Sequence, residues 1–327
     1  MQNQKAPLII LSLLLLLNSC ASLTKSQLNE VCQFGQLTKS FSAYPPQVIY
    51  TLNDVHEQQQ LFLVNSIINP DKHLQGVMEL YTYKKENEKI NEQAAVAFSI
   101  IDDYAQKLIH LTADSHSRQL DTAAQGLGGN LDNLIDKYNA LVPAHAVPTG
   151  IGALFGQVIS LGGDMYIRSK QAEAAKMFVT KGDTVVGSMT ITLQEYLAGR
   201  DGDFRSLKAM IARERTTMRT NYLIYLKRDE EKIVLMHNRD TAYTGKLSAW
   251  RAATFDADKL YIQLLNNLDA DEQLRQQCLE ALVCLRKAHR QLLNDLQQKK
   301  KLKEVYAELR AYGSSIGQMN AAYKKIK

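Results

Sequence analysis

The chain has 327 residues, which is enough for one large domain or two ordinary ones with a sizeable hydrophobic core. The formal net charge of +5 is small and both signs are well mixed, which argues against a nucleic-acid partner. Only 6 prolines and 17 glycines occur, and Leu, Ala, Gln, Lys and Glu are abundant, so the composition favours helices.

The N-terminal segment has the three parts of an export signal. Lys5 supplies a positive charge, residues 7–17 form an apolar core too short to span a bilayer, and small residues then mark a cleavage point. The residues at that point resemble the lipobox of bacterial lipoproteins. They are Leu17-Asn18-Ser19-Cys20.

This resemblance implies that residues 1–19 are removed and that Cys20 carries a diacylglycerol, with a further acyl chain such as palmitate on the new amine. Two or three acyl chains hold a protein stably on a membrane, whereas one holds it only marginally. In such lipoproteins the residue after the cysteine directs sorting, and Asp there favours the inner membrane. Here that residue is Ala21, which favours the outer membrane of the cell envelope. The resemblance does not extend beyond residue 22. An ordinary signal peptide and an uncleaved membrane anchor are the alternatives.

Residues 20–45 are predicted to be the lipidated N-terminus and a tether with a short helix, and residues 46–327 the helical bundle domain. Residues 47–68 have the apolar spacing of a helix. The sequence Asn69-Pro70-Asp71 ends this helix and starts the next, with Asp71 as its expected N-cap.

Two stripes of apolar or small residues alternate spacings of four and three, which is typical of helices that pack against other helices. With few prolines and little indication of strands, they predict an all-α fold, an elongated antiparallel helical bundle with long coiled-coil-like helices. The stripes are Ile90, Ala94, Ala97, Ile101, Tyr104, Leu108 and Leu111, and Leu274, Cys278, Ala281, Leu285, Ala288 and Leu292.

Between the stripes, Lys181-Gly182 predicts a helix end and Asp183 a new N-cap. The β-branched residues that follow leave a short strand within 185–197 as an alternative to a helix. Helices are expected over 116–140 (weakened by the glycines of 126–129), 164–180, 204–236 and 256–323, with a connection over 237–254.

Residues 138–163 contain no Lys, Arg, Asp or Glu. Within them Gly152, Gly156 and Ser160 recur every four residues on one helix face, and small residues at that spacing let two helix backbones approach closely. This face is predicted to be a helix contact in the core. The alternative is insertion into lipid, in outline like an α-helical pore-forming toxin, although the uncharged run after Pro148 is shorter than the ~20 residues needed to span a bilayer.

If Cys20 carries lipid, three cysteines are left and at most one internal disulfide can form. Cys278 and Cys284 are about 9 Å apart along a predicted helix, too far for a bridge. The predicted disulfide therefore joins Cys32 with Cys278 or Cys284 in an oxidising periplasm. Three free thiols are the alternative.

The motifs of P-loop, α/β-hydrolase and zinc-protease sites do not occur in the sequence. Two polar clusters, His110-Asp114-His116 and Asp54-His56-Glu57, are the nearest approach to a metal-binding pattern. Neither has convincing ligand spacing, so no catalytic residue, metal or cofactor is predicted.

These features predict a non-enzymatic, lipid-anchored envelope lipoprotein that acts as a helical scaffold or interaction protein. Its expected partners are the membrane, through the lipid on Cys20, and a protein partner or a second copy of itself, but not nucleic acid. The alternative is a membrane-active helical protein that uses the apolar, glycine-rich segment 138–163.

Overall fold

The computed structural model describes residues 23–112, 120–143, 146–153, 164–199, 206–237, 244–298 and 302–326. Over these ranges the chain forms nine long α-helices and no strand, which confirms the predicted all-α helical bundle. The helices are α1 (Lys25–Ser42), α2 (Pro45–Asn65), α3 (Pro70–Ile90), α4 (Glu92–Thr112), α5 (Leu120–Leu141), α6 (Asp164–Ala198), α7 (Leu207–His237), α8 (Thr244–Gln298) and α9 (Leu302–Tyr323).

The 55-residue helix α8 is the central helix of the bundle. At 1.5 Å per residue it is about 82 Å long. Contacts along it show that α6 and α7 run antiparallel to it, because their residue numbers rise as those of α8 fall. These contacts join Asp183 with His289, Leu197 with Arg275, Arg215 with Asp269, and Tyr222 with Asp258.

The two halves of α8 carry different helices. Its C-terminal half packs against α1, α6 and α9, with α4 and α5 further out, and we call this the anchor half because the predicted lipid site precedes α1. Its N-terminal half packs against α2 and α7, and α3 lies on α2; we call this the distal half. The start of α1 is fixed at the far end of the anchor half, where the Gln27 amide donates to Asp295 at 2.9 Å.

Both predicted stripes lie in the core. The α4 members from Ala94 to Leu111 are each at most 3% exposed, and the α8 members from Leu274 to Leu292 are completely buried. The side chain of Ile90 lies outside the described residues. The spacing of four and three therefore predicted the buried faces of these two helices correctly.

The bundle begins at Lys25 rather than at residue 46, because most of the predicted tether is helix α1. Val31, Phe34 and Phe41 of α1 are completely buried. A capping box starts the helix: the Thr24 hydroxyl accepts from the Gln27 amide at 3.2 Å, and the Gln27 side chain accepts from the Thr24 amide at 3.0 Å.

The helix end predicted at Lys181-Gly182 is wrong, and so is the alternative strand, since α6 continues to Ala198. Gly182 serves packing instead, because a Cβ atom there would lie 2.4 Å from the Tyr104 ring of α4. The helix ends where Gly199 adopts a φ of 72°, a conformation that favours glycine.

Two other helix starts differ from the prediction. Asn69, not Asp71, caps α3: its side chain accepts from the Lys72 amide at 3.0 Å, and Pro70 occupies the first helical position. Most of the predicted connection over 237–254 is helix, because α8 already begins at Thr244.

Candidate interaction surface and buried polar sites

Over residues 70–85, the part of α3 whose side chains are described, the helix packs on the bundle along one side only. No residue within 70–85 is fully buried. The half-buried residues His73, Gly76, Leu80 and Tyr83 recur every three or four positions and mark the side that faces α2. Helices α2 and α3 form an antiparallel hairpin, since His73 Nδ1 lies 3.0 Å from the carbonyl oxygen of Val64 at the end of α2, whereas Tyr83 stacks on His56 in the middle of α2.

The outer side of α3 carries four apolar residues, which we call the α3 stripe: Leu74, Val77, Met78 and Tyr81. They are 62%, 39%, 53% and 52% exposed. Their spacing of three, one and three places them on one helix face. Isolated apolar residues on a surface are ordinary, but a contiguous set is typical of an interaction site.

Charged residues border the α3 stripe at each end. Asp71 lies one turn before Leu74, and Lys84 and Lys85 follow Tyr81. The Lys85 ammonium lies 4.7 Å from the centre of the Tyr81 ring. The stripe is therefore a bounded apolar surface with Asp71 at one end and Lys84 and Lys85 at the other.

The α3 stripe is far from the start of α1. Phe62, one turn before the end of α2, packs on Tyr222 of α7, and Tyr222 stacks on Tyr261 of α8 with ring centres 4.4 Å apart. From Tyr261 to Asp295, beside the start of α1, α8 spans about 50 Å. Other exposed apolar side chains of the distal half include Ile68, Phe255 and Ile262.

A cavity of about 260 Å³ lies between α2 and α3. The predicted cluster of Asp54, His56 and Glu57 lines it, so the structure brings these three residues to one site. The His56 ring stacks on Tyr83 with centres 4.0 Å apart, and Glu57 pairs with Lys84 at 2.9 Å. These contacts join α2 to α3 and hold α3 in the orientation that turns its stripe outward.

Behind this cavity, buried polar side chains join α2 to α7. The Gln59 amide donates to Glu214 at 3.0 Å, and Asn221 donates to the Gln59 carbonyl at 2.6 Å. His56 Nδ1 also lies 2.9 Å from the same Glu214 carboxylate. Buried polar groups that satisfy one another fix the alignment of the two helices.

Tyr104, His289 and Asp183 form a second polar chain, in the anchor half, which runs from the core to the half-exposed Asp183. The Tyr104 hydroxyl lies 2.8 Å from His289 Nε2, and His289 Nδ1 lies 3.1 Å from the Asp183 carboxylate. The hydrogen bond from His289 holds the pKa of Asp183 below its usual value. Burial raises the pKa of Tyr104 well above its usual value. Because Tyr104 and His289 are completely buried, a substrate cannot reach them, and we interpret the chain as structural.

Glu30 of α1 is a buried carboxyl group whose two oxygens have no hydrogen-bond partner among the described residues. Burial, and then the charge of Asp295 on α8, raise the pKa of Glu30 to about 7. This carboxyl therefore changes its protonation near neutral pH, within the contact of α1 with α8.

The structure describes one of the three small residues predicted to form a helix contact. Gly152 is buried, and its amide donates to the Asp132 carboxylate of α5 at 2.8 Å. Asn139 of α5 exchanges two hydrogen bonds with the backbone of Val147. Residues 146–153 are thus tied to α5, whereas Gly156 and Ser160 lie outside the described residues, and both the helix contact and membrane insertion there stay predictions. None of the described helices has the length and apolar composition needed to cross a membrane.

Of the four cysteines, too, only some lie within the described residues. Cys20 lies outside the described residues, so its lipidation stays a prediction. Cys32, Cys278 and Cys284 are free thiols in the structure, with Cys278 buried and the other two half-buried. The disulfide of Cys32 with Cys278 or Cys284 is thus not formed here, and its formation in an oxidising compartment stays a prediction.

The predicted polar cluster around His110 falls partly outside the described residues, which include His110 but not Asp114 or His116. Within the described ranges, no group of three His, Cys, Asp or Glu side chains is placed to hold a metal ion.

The α3 stripe is a candidate interaction site that was not predicted from the sequence. Its spacing of i, i+3, i+4 and i+7 can be recognised in the sequence, but the same spacing marks helix faces that are buried.

No protein-family model, curated protein or solved structure matches the chain. Its function must therefore be inferred from its own residues.

Proposed function

We propose that the protein is a lipid-anchored lipoprotein of the cell envelope, held in the outer membrane by Cys20. Its helical bundle is a non-enzymatic scaffold that presents the α3 stripe to a protein partner. The observation that carries this proposal is the exposure of four neighbouring apolar side chains on a helix that packs along one side only over residues 70–85.

The energetics support binding through this surface. Full burial of a Leu, Val or Met side chain contributes roughly 1.5–3 kcal/mol, and these residues are about half exposed in the free chain. Covering the α3 stripe would therefore contribute several kcal/mol to an association before its entropic costs are met. A purely structural helix gains nothing from leaving this area in water.

The position of α1 supports the anchor. Between Cys20 and Thr24 the chain can reach at most about 15 Å, so α1 would begin close to the membrane surface. Phe34 and Phe41 hold α1 firmly in the bundle. The lipid would thus restrain the anchor half, whereas the α3 stripe lies about 50 Å along α8 from that end.

The anchor is tested by changing Cys20→Ser in the full chain and measuring partition between membrane and soluble fractions. The variant is expected in the soluble fraction, because the acyl attachment site is gone. Cys32→Ser is the matched control, since it removes a half-buried thiol outside the lipobox and should leave the protein on the membrane. Retention of Cys20→Ser on the membrane would contradict the anchor.

The interaction surface is tested by placing a photo-cross-linking amino acid at position 81 and irradiating intact cells. We expect a protein adduct at position 81, and no comparable adduct at Val283, which is 42% exposed on α8 in the anchor half. If both positions give no adduct, or equal adducts, the α3 stripe is not a specific binding surface.

A further inference from the structure

We propose that a second copy of this chain covers the α3 stripe, with the two α3 helices packed antiparallel about a twofold axis. This inference rests on the proposed function only in taking the α3 stripe as the binding surface. It does not require the lipid anchor on Cys20.

The spacing of the α3 stripe suits such a pair. Its members are placed symmetrically about the midpoint between Val77 and Met78. When two copies meet antiparallel at this midpoint, Leu74 of one copy lies opposite Tyr81 of the other, and Val77 lies opposite Met78. A twofold interface uses the same patch on both copies, so one self-complementary surface is sufficient.

The charges at the two ends of the stripe select this direction. In the antiparallel arrangement Asp71 of each copy lies opposite Lys84 and Lys85 of the other. A parallel arrangement would bring Asp71 beside Asp71 and each pair of lysines beside its equivalent. Opposite charges at the edge of an interface fix orientation, and like charges disfavour the alternative. Antiparallel helix dipoles favour the same choice.

The basic end is held in place before pairing. Lys84 contacts Glu57 of α2 at 2.9 Å, and Lys85 lies over the Tyr81 ring. These contacts place both amines at the edge of the apolar surface in the free chain.

The pairing has a consequence for the whole molecule. Helix α3 is antiparallel to α2, and α2 is parallel to α7, which is antiparallel to α8. The long axes of two paired copies would therefore point in opposite directions. The two α1 helices would begin at opposite ends of the pair, about 100 Å apart.

Cysteine cross-linking in the full chain tests the arrangement, in a background with Cys32→Ser and Cys284→Ser. Met78→Cys lies beside the twofold axis and should give a disulfide-linked dimer. Leu74→Cys alone should not, because the equivalent residue of the second copy is about 10 Å away along the helix axis, beyond disulfide reach. Leu74→Cys combined with Tyr81→Cys should cross-link again.

Three outcomes would overturn the proposal. Equal cross-linking of Leu74→Cys and Met78→Cys would show parallel pairing, and no cross-linked dimer with any variant would exclude a second copy on this surface. Adducts of another protein, or of lipid, at position 81 without dimers of this chain would equally identify a different occupant.

The charge pattern is tested by measuring the dimer–monomer equilibrium of the full-length chain by light scattering. Asp71→Lys should weaken the dimer on the order of tenfold, because two symmetric edge contacts become repulsive. Adding Lys85→Asp should restore it. Val283→Asp, at an exposed site in the anchor half, should have no effect. If Asp71→Lys leaves the dimer unchanged, the proposed orientation is wrong.

The same samples separate this proposal from the proposed function. A dimer whose Cys20→Ser variant stays on the membrane would refute the anchor and leave the pairing intact. A chain that Cys20→Ser releases but that is monomeric would refute the pairing alone. Because the α3 stripe is exposed, its substitutions should leave the thermal unfolding of the monomer unchanged.

Discussion

Gly182 shows how a single residue can be misread from sequence. In the sequence it looks like a helix end, but it lies inside α6, where the completely buried Tyr104 of α4 packs on the helix backbone. The pattern of residues along α6 does not reveal this, because the ring that requires the missing side chain comes from another helix.

Gly182→Ala should destabilise the protein by about 1–3 kcal/mol, the usual cost of overpacking. The new Cβ would lie 2.4 Å from the ring of Tyr104, whose hydroxyl is held by His289. Gly187→Ala in the same helix is the control. A Cβ atom at Gly187 would meet no neighbouring atom within 4 Å, and we expect the substitution to stabilise the helix by about 0.5–1 kcal/mol. Urea unfolding of both variants measures the difference, and equal stabilities would contradict the close packing of Tyr104.

Glu30 should make the protein less stable as the pH rises. Its pKa of about 7 in the folded chain lies above its ordinary value of 4.5. Between these two pH values the folded chain keeps a proton that the unfolded chain has lost. The contribution is therefore fully present below pH 4.5 and is lost as the pH rises through 7, and it amounts to on the order of 3 kcal/mol.

Unfolding free energies at pH 5 and pH 8 test this expectation. Glu30→Gln should reduce the fall in stability between the two pH values, whereas Glu280→Gln, at an exposed position on α8, should leave it unchanged. An identical pH dependence for Glu30→Gln and the unaltered chain would show that Glu30 does not titrate in this range.

At the scale of the element, α3 and α4 have apolar stripes of similar spacing, but the stripe of α4 is buried and that of α3 is exposed. Leu108 of α4 is completely buried, but Leu74 of α3 is 62% exposed. The period of a stripe locates the apolar face of a helix, but it does not decide whether another helix of the same chain covers that face.

Truncating these two leucines should therefore have different effects. Leu108→Ala should cost about 2–5 kcal/mol, because it removes packed methyl groups and leaves a cavity. Leu74→Ala should change the stability of the monomer by less than about 0.5 kcal/mol. Chemical denaturation at a concentration that keeps the chain monomeric measures both. A large loss for Leu74→Ala would mean that the α3 stripe is covered within the chain.

At the scale of the whole molecule, α8 decides the shape. A compact domain of this length would have a radius of gyration of about 20 Å, by the scaling that compact domains follow. The 55 residues of α8 form one helix in the structure, so the monomer should be clearly more extended. We expect small-angle X-ray scattering to give a larger radius of gyration and a maximum dimension of at least about 80 Å. A maximum dimension near 50 Å would contradict an unbroken α8.

The sequence by itself determined the helical class and the buried faces of α4 and α8, and it predicts an export signal with a lipid site. These depend on neighbouring residues alone: apolar period, helix propensity and short motifs. The tertiary structure decided that α1 belongs to the core, that Gly182 lies within α6, that Asp54, His56 and Glu57 line one cavity, and that the α3 stripe faces outward. Each of these depends on which helix packs against which, because burial is a property of the assembled bundle rather than of any one helix.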